Sequence, residues 1–463
     1  MKRSRWFITL LAVLAMVVAA CGDGDGGGDG TTTTGGGDGT TPAGEDVGAS
    51  FSLFGAPTGT EGEALEGFIN LYNETTGSSI TFRGSTDFEN ELRIAVDGGN
   101  PPEVAATPQP ASICDFADRG ELVSLEEMGF DIAEMEANHS EFWMNLGLCD
   151  DGNHYAVPWF PNFKSVVFYH EPTFEENNYE VPETYEDLVA LSSQMVSDGL
   201  TPWCIGYGAG GATGWAGTDW IEDIYVRMHG ADAYADWFSH EIPFDDPTVV
   251  AAFDKFSEIL HGDGYVLGDA SNVPSIVVEE SVGPLFSDPP GCAMFKQGSF
   301  ATNWFGDAPD YEDGEEDEIG VFPFPTIDGN GGAMGGADTI MVFESSPETI
   351  RAIQDWLTPD WQCALASASG GGISPYGGHG VAGVERMPGN ANVDPACLES
   401  ESGQIFAESI TTALGEGTFV FDASDLMPPQ VGQDSFWQAM IDHAGGASAQ
   451  EVAETVEASW PSE

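Results

Sequence analysis

From residue 50 onward, short apolar runs alternate with stripes of apolar residues at helical spacing. Ser50 to Phe54 reads as a strand. Thr60 to Glu63 has capping-box spacing, and Leu65, Phe68, Ile69 and Tyr72 form one helical face that stops at Gly77. A second strand, Ser79 to Ser85, leads to a helix capped over Thr86 to Glu89, with Phe88, Leu92 and Val96 inward and Gly98-Gly99 as its end. Glu103 to Thr107 is a third strand. Pro108-Gln-Pro110 and a helix through Asp118 follow. Strand and helix in alternation predict a parallel, doubly wound sheet. Such sheets bind ligands outside the carboxyl ends of their strands, which here are Phe54 to Glu61, Gly84 to Asp87, and Gln109.

The pattern breaks at His154 to Leu191. Pro158 and Pro161 rule out a helix there, and Ser165 to Tyr169 has the composition of a buried strand. A helix starts near Thr184. This stretch reads as a hinge crossing between two lobes, with Trp159 and Asn162 at the passage. The second lobe repeats the alternation. It has a helix carrying Leu188, Leu191 and Met195, a strand Trp203 to Tyr207, a Gly-rich loop to Asp219, a helix from Trp220 to Met228, and one opened by Asp246-Pro247. A strand ending on Trp304 comes next. Phe322 to Pro325 is a second crossing and Gly370 to Pro375 a third. Between them Gly335-Gly-Ala-Asp338, a strand to Phe343 and a helix opened by Ser346-Pro347 belong to the first lobe. The C-terminal helices, including a Ser448–Glu451 capping box, close the second lobe.

The amino terminus sets the compartment. Lys2, Arg3 and Arg5 precede an apolar run, Trp6 to Ala20, too short to span a bilayer comfortably, and Val18-Ala-Ala-Cys21 resembles a bacterial lipobox. The expectation is a signal peptide over residues 1–20, with lipidation of Cys21 as the membrane anchor. A Gly/Asp/Thr tether over 21–49 follows. The folded part then divides into lobe 1 (50–160 and 325–372) and lobe 2 (161–324 and 373–463). Six further cysteines, in an exported chain, read as disulfides. Fifteen pairings are open; the expected ones are Cys114–Cys149, Cys204–Cys292 and Cys363–Cys397.

Charge narrows the partners. There are 77 acidic residues against 12 Lys and Arg, a formal net charge of -65. Such a surface repels nucleic acid and offers anionic lipid no basic patch. It also repels itself, which salt would screen, and suggests a saline habitat. G-x-S-x-G, H-E-x-x-H and G-x-x-x-x-G-K-[ST] are absent, and no cysteine or histidine spacing suits a metal. Gly206-Tyr-Gly208-Ala-Gly210-Gly211 matches G-x-G-x-x-G, but it sits mid-chain without a ribose-binding acid at the required distance. No cofactor is expected.

Several ordered motifs point further. GAPTGTEGEALEGFI, GGNPPEVAATPQP, the crossing YAVPWFPNFKSVVFYHEPTFEENNYEVPETYEDL, TPWCIGYGAGGATGWAGTDWIEDIYVR, HEIPFDDPTVVAAFDKF, PPGCAMF and FDASDLMPPQVG extend over nearly all of Phe51 to Trp460. In this order they resemble the extracellular solute-binding proteins (family 1) of bacterial ABC sugar importers, most of all the alpha-glucoside-binding branch. The resemblance implies a periplasmic-binding-protein-like, maltose-binding-protein-like α/β fold, two doubly wound lobes on a multi-strand hinge. It also implies an oligosaccharide ligand, ABC permease partners, and a monomer with no catalytic residues. It carries over Trp159, Trp215 and Trp304 as rings for the sugar faces, with Phe54 and Gly336 beside them. For the hydroxyl rim it carries over Thr58, Glu61, Asp87, Gln109, Asn162, Asp219, Asp338 and Asp425. Trp220, Trp237, Trp356 and Trp460 are expected in packing roles. Arg83 and Lys164 are rare cations that pair either with site carboxylates or with surface ones. The rival reading is an anchored glycoside hydrolase with two catalytic carboxylates, and a structural envelope lipoprotein is the third.

Overall fold

The computed structural model describes residues 46–311, 318–369, 387–394, 397–398 and 401–461. Cys21, the signal segment, most of the tether and the Gly370–Pro375 crossing lie outside them. The chain starts with β1 (Ser52–Gly55), α1 (Gly59–Thr76), β2 (Thr81–Gly84), α2 (Phe88–Asp97), β3 (Val104–Thr107), α3 (Ala111–Asp118) and α4 (Ile132–Met144). β4 (Ala156–Phe163) runs into β5 (Val166–His170), α5 (Glu171–Asn177), α6 (Tyr185–Ser197), β6 (Trp203–Cys204), α7 (Trp215–Phe238), α8 (Pro247–Leu260), β7 (Met294–Gln297) and β8 (Ile319–Pro323). β9 (Ala333–Val342) returns, followed by α9 (Pro347–Trp356), α10 (Pro359–Ser369), α11 (Glu401–Glu416), β10 (Phe419–Phe421), α12 (Ala423–Leu426), α13 (Trp437–Ala444) and α14 (Ala449–Glu457).

Two sheets result. The first has the order β10-β9-β3-β1-β2, with β4 also paired to β9. β1 is parallel to β2 and β3, as the alternation predicts, while β9 runs antiparallel to β3 and β4. Strand periodicity splits its side chains between two cores. Leu53, Val104 and Ile340 join one with Phe68 and Trp356; Phe54, Ala105 and Met341 join the other with Phe88. The second sheet, β6-β7-β5-β8, departs from the doubly wound pattern: β5 is antiparallel to both β7 and β8. β5 leaves the first sheet and β8 leads back to it, so neighbouring strands run in opposite directions.

Only Lys164 and Ser165 separate β4 from β5. Both prolines of the crossing lie within β4, which pairs with β9 through a register shift between Pro158 and Phe160. A strand that must accommodate residues without a backbone N–H is tolerated at such an irregularity. Local capping follows the sequence at several helices. Thr184, Asp246 and Ser346 accept from the backbone N–H of Asp187, Thr248 and Thr349, and the Ser448–Glu451 box is complete. α1 ends where Gly77 turns left-handed, φ 66°. Its start differs from expectation: the N-cap is Thr58, not Thr60, and it makes no side-chain cap bond. Val47 to Ala49, read as tether, are hydrogen-bonded to Thr76 and Ser78 at the end of α1. Trp460 lies beyond α14 and stacks on His240 at 4.0 Å. The three disulfides are the expected ones, with Cα separations of 5.5, 5.6 and 5.4 Å. No helix among the described residues is long and apolar enough to cross a membrane.

Candidate functional site

A cleft opens where the carboxyl ends of β1, β2 and β3 face the second half of the chain. The loop after β1 contributes Pro57 and Thr58, the first turn of α1 Glu61, the end of β2 Ser85 and Thr86, and the end of β3 Gln109. The hinge strands add Asn162, Gly336 and Asp338, and Lys164 follows β4. Trp215 begins α7. Phe300 and Trp304 belong to a 3-10 segment, Ser299–Asp307, after β7. Asp422, Ser424, Asp425 and Trp437 close the floor from the C-terminal part.

Nine of the expected side chains or backbones therefore meet in one place: Thr58, Glu61, Gln109, Asn162, Trp215, Trp304, Gly336, Asp338 and Asp425. Four do not line it. Trp159 is fully buried in the first core, its ring stacked on Trp356 at 5.2 Å and met edge-on by Phe68, so neither face is open to a ligand. Phe54 packs on Phe88 under the Arg83 guanidinium, 3.7 Å from its ring centroid. Asp87 occupies the N-cap position of α2 and accepts from Asn90 Nδ2 at 2.9 Å. Asp219 lies behind Lys164, inside the fold. The cleft also holds residues the sequence did not single out, Asp422, Glu89, Glu279, Phe300 and Trp437 among them. Asp422 falls in the motif FDASDLMPPQVG, but in so acidic a chain a lone carboxylate carries little signal.

The aromatic wall is a row. Trp215 and Phe300 are 6.0 Å apart and Phe300 and Trp304 5.5 Å. Opposite stand amides and acids. Asn162 Oδ1 accepts from the Gly336 N–H at 2.9 Å, and a Cβ at position 336 would lie 3.2 Å from the Asn162 amide. A side chain there would press on that amide. The two rare cations have divided roles: Arg83 pairs with Glu91 on the surface, and Lys164 belongs to the site.

Lys164 organises the polar floor. Its ammonium donates to Asp219 Oδ1 at 3.1 Å and to Asp422, and stands 5.2 Å from the Trp215 ring centroid. Burial would lower its pKa, but Asp219, Asp422 and Asp425 hold it well above the usual value. Burial would raise Asp422, yet Lys164 keeps that carboxylate ionised, below its ordinary range. Asp219 is pushed up to about 7 by burial, with Lys164 opposing the shift. Asp425 is pushed well up, first by burial and then by Asp422. Glu89 and Glu279 are also raised by burial. The cleft therefore presents one committed ammonium and a mixture of neutral and ionised acids. Such groups can give and take hydrogen bonds from hydroxyls, while the indole row covers apolar ring faces. Among the described residues no cluster suits a metal ion.

The family model of the bacterial extracellular solute-binding proteins matches residues 56–358. The chain belongs to that family. This solute-binding protein is 33% identical to the osmoprotective compounds-binding protein GgtB of Synechocystis, over 90% of this chain and 94% of that one. It is also 33% identical to the alpha-glucosides-binding periplasmic protein AglE of Rhizobium meliloti, over 90% and 88%. Two solved solute receptors share its fold. AcbH superposes with a TM-score of 0.71 at 17% identity, covering 90% of this chain and 98% of that one. Maltose-bound MalE3 of T. maritima gives 0.67 at 16%, covering 89% and 98%. Membership in a binding-protein family makes the solute-binding protein a receptor and removes the hydrolase alternative.

Proposed function

We propose that this chain is the capture subunit of an ABC importer for a neutral α-glucoside oligosaccharide, of the maltose or trehalose kind. It is held on the outer face of the cell membrane by lipid on Cys21 and hands its ligand to the permease as a monomer. The carrying observation is the cleft itself. It gathers an aromatic row with amides and acids, and the one cation lining it among the described residues is already taken by two carboxylates. The two 33%-identical relatives, named for alpha-glucosides and for osmoprotective compounds, support the ligand class.

The mechanism is closure about the hinge strands. A sugar that touches residues of both halves only when they are shut stabilises the shut form by that difference in contact. The tether raises the local concentration of receptor at the permease. Calorimetric titration with maltose, trehalose and a trisaccharide tests the reading. Saturable heat with at least one, and no reducing sugar released, supports it. Absence of binding to every α-glucoside tried overturns the ligand class.

A further inference from the structure

The mouth of the cleft carries two contacts between its opposite sides that no sugar would need. α1 and α2 both begin there, and neither N-cap residue bonds the helix's free N–H groups through its side chain. Each start is met from across the cleft. Asp307 Oδ2 accepts the Thr60 N–H of the first turn of α1 at 3.1 Å, although 247 positions separate them. A Cβ on Gly59 would lie 2.9 Å from that same oxygen. At the other start the Gly-rich segment seats its backbone against α2. A Cβ on Gly211 would lie 2.8 Å from Asn90 Nδ2 and closer still to the Asp87 carboxylate, and one on Gly210 3.4 Å from the Thr86 carbonyl.

We infer that these two contacts form a latch that holds the receptor shut and sets its affinity for every ligand alike. This rests on the receptor reading above. The chemistry suits the role: a carboxylate at the exposed N–H groups of a helix start is favourable, and the one that takes the Thr60 N–H comes from the opposite side. The glycines leave room for the Asp307, Asp87 and Asn90 side chains, which a larger residue would have to displace. Each half of the latch is also joined to the sugar wall. Asp307 lies three residues after Trp304, and Gly211 four before Trp215. Seating a sugar on the two indoles thus brings both lips into register. Asp87 belongs to the latch and not to the sugar rim, and the G-x-G-x-x-G run is explained without a nucleotide.

The latch acts through the closed population, so its loss divides that population by one factor whatever the ligand. Asp307→Ala is expected to raise Kd about fivefold, by the same factor for each sugar bound, through faster dissociation. The melting temperature should stay unchanged. Asp307→Asn, which keeps an acceptor, should recover most of the affinity. Gly211→Val, at the other lip, should act in the same direction. Calorimetry and stopped-flow dissociation over several sugars read these values. Unchanged affinity in Asp307→Ala overturns the proposal. A factor that differs between sugars also overturns it, because it marks a direct sugar contact. Should wild-type protein bind none of the sugars, the ligand reading fails but the latch is still decided. Small-angle scattering without sugar should then give a larger radius of gyration for Asp307→Ala and Gly211→Val than for wild type, and equal radii would overturn it.

Discussion

Lys164 and Arg83 are two of the few cations in the chain, and their surroundings give them different weight. The Arg83–Glu91 pair has side chains 59% and 40% exposed, so water and salt compete for it. Lys164 is buried between Asp219 and Asp422. Removing it leaves two buried carboxylates without a counter-charge. Lys164→Met should therefore cost roughly 3–5 kcal/mol of stability in denaturant unfolding. Arg83→Met, which gives up only an exposed pair and a cation–π contact, should cost less than about 1 kcal/mol. Equal losses would mean that the floor of the cleft tolerates unpaired acids. The indoles separate in a similar way. Trp215 is half-buried at the start of α7, so Trp215→Ala should weaken sugar binding by at least about 1 kcal/mol, roughly fivefold, with little effect on melting. Trp159→Ala should leave any sugar contact untouched and cost about 3–5 kcal/mol of stability through the cavity it opens.

α7 is the element on which these charges converge. Asp219, Glu222, Asp223 and Arg227 all lie buried along it, at helical spacing. Asp223 pairs with Arg227 and with Lys296 Nζ, 3.2 Å away, and Glu222 accepts from Ala423 and Ser424 at the start of α12. Burial pushes Asp219 up to about 7 and Glu222 well above its usual range. Both bind a proton more tightly in the folded protein than in the unfolded chain. Their contribution to stability is full below the ordinary carboxylate pKa of about 4, and that of Asp219 is lost as pH rises through 7. Asp422 acts oppositely, but only as pH falls below about 4, so it does not interfere in that window. Between pH 5 and pH 8 in concentrated salt this share of the melting temperature should fall, against the opposite trend from His139 and His443, whose imidazoles burial holds below their usual value. Asp219→Asn should flatten the slope, and an unaltered slope in that variant would remove Asp219 as its source. None of this was legible in the chain, because spacing shows that four charges share a helix face but not that the face is turned inward. The strand-helix alternation was legible, and with it the rule that placed Thr58, Glu61 and Gln109 at strand ends lining the cleft. Trp159 misled for a physical reason. It too sits in an extended, proline-flanked segment, but at a register shift in β4 that turns its ring into the first core.

At the scale of the whole molecule, self-repulsion among acids is the main force opposing compaction beyond chain entropy. A formal net charge of -65 on 463 residues makes every acidic surface group the neighbour of others. Compact folding brings those charges together, and the folded state carries the cost. At 0.15 M salt the screening length is about 8 Å, and near 1 M it is about 3 Å, shorter than typical spacing between surface carboxylates. The network around Lys164 and Asp223 is buried and screened far less. Salt should therefore relieve the surface while leaving the site's ion pairs in place. A form comprising residues 22–463 should melt at a higher temperature in about 1–2 M salt than in dilute buffer. Its affinity for a neutral sugar should change little over the same range, because a neutral ligand brings no charge to be screened. Differential scanning calorimetry and titration calorimetry on one preparation measure both. A melting temperature indifferent to salt would mean that the acidic surface imposes no cost on folding, and the inference of a saline habitat would fall with it.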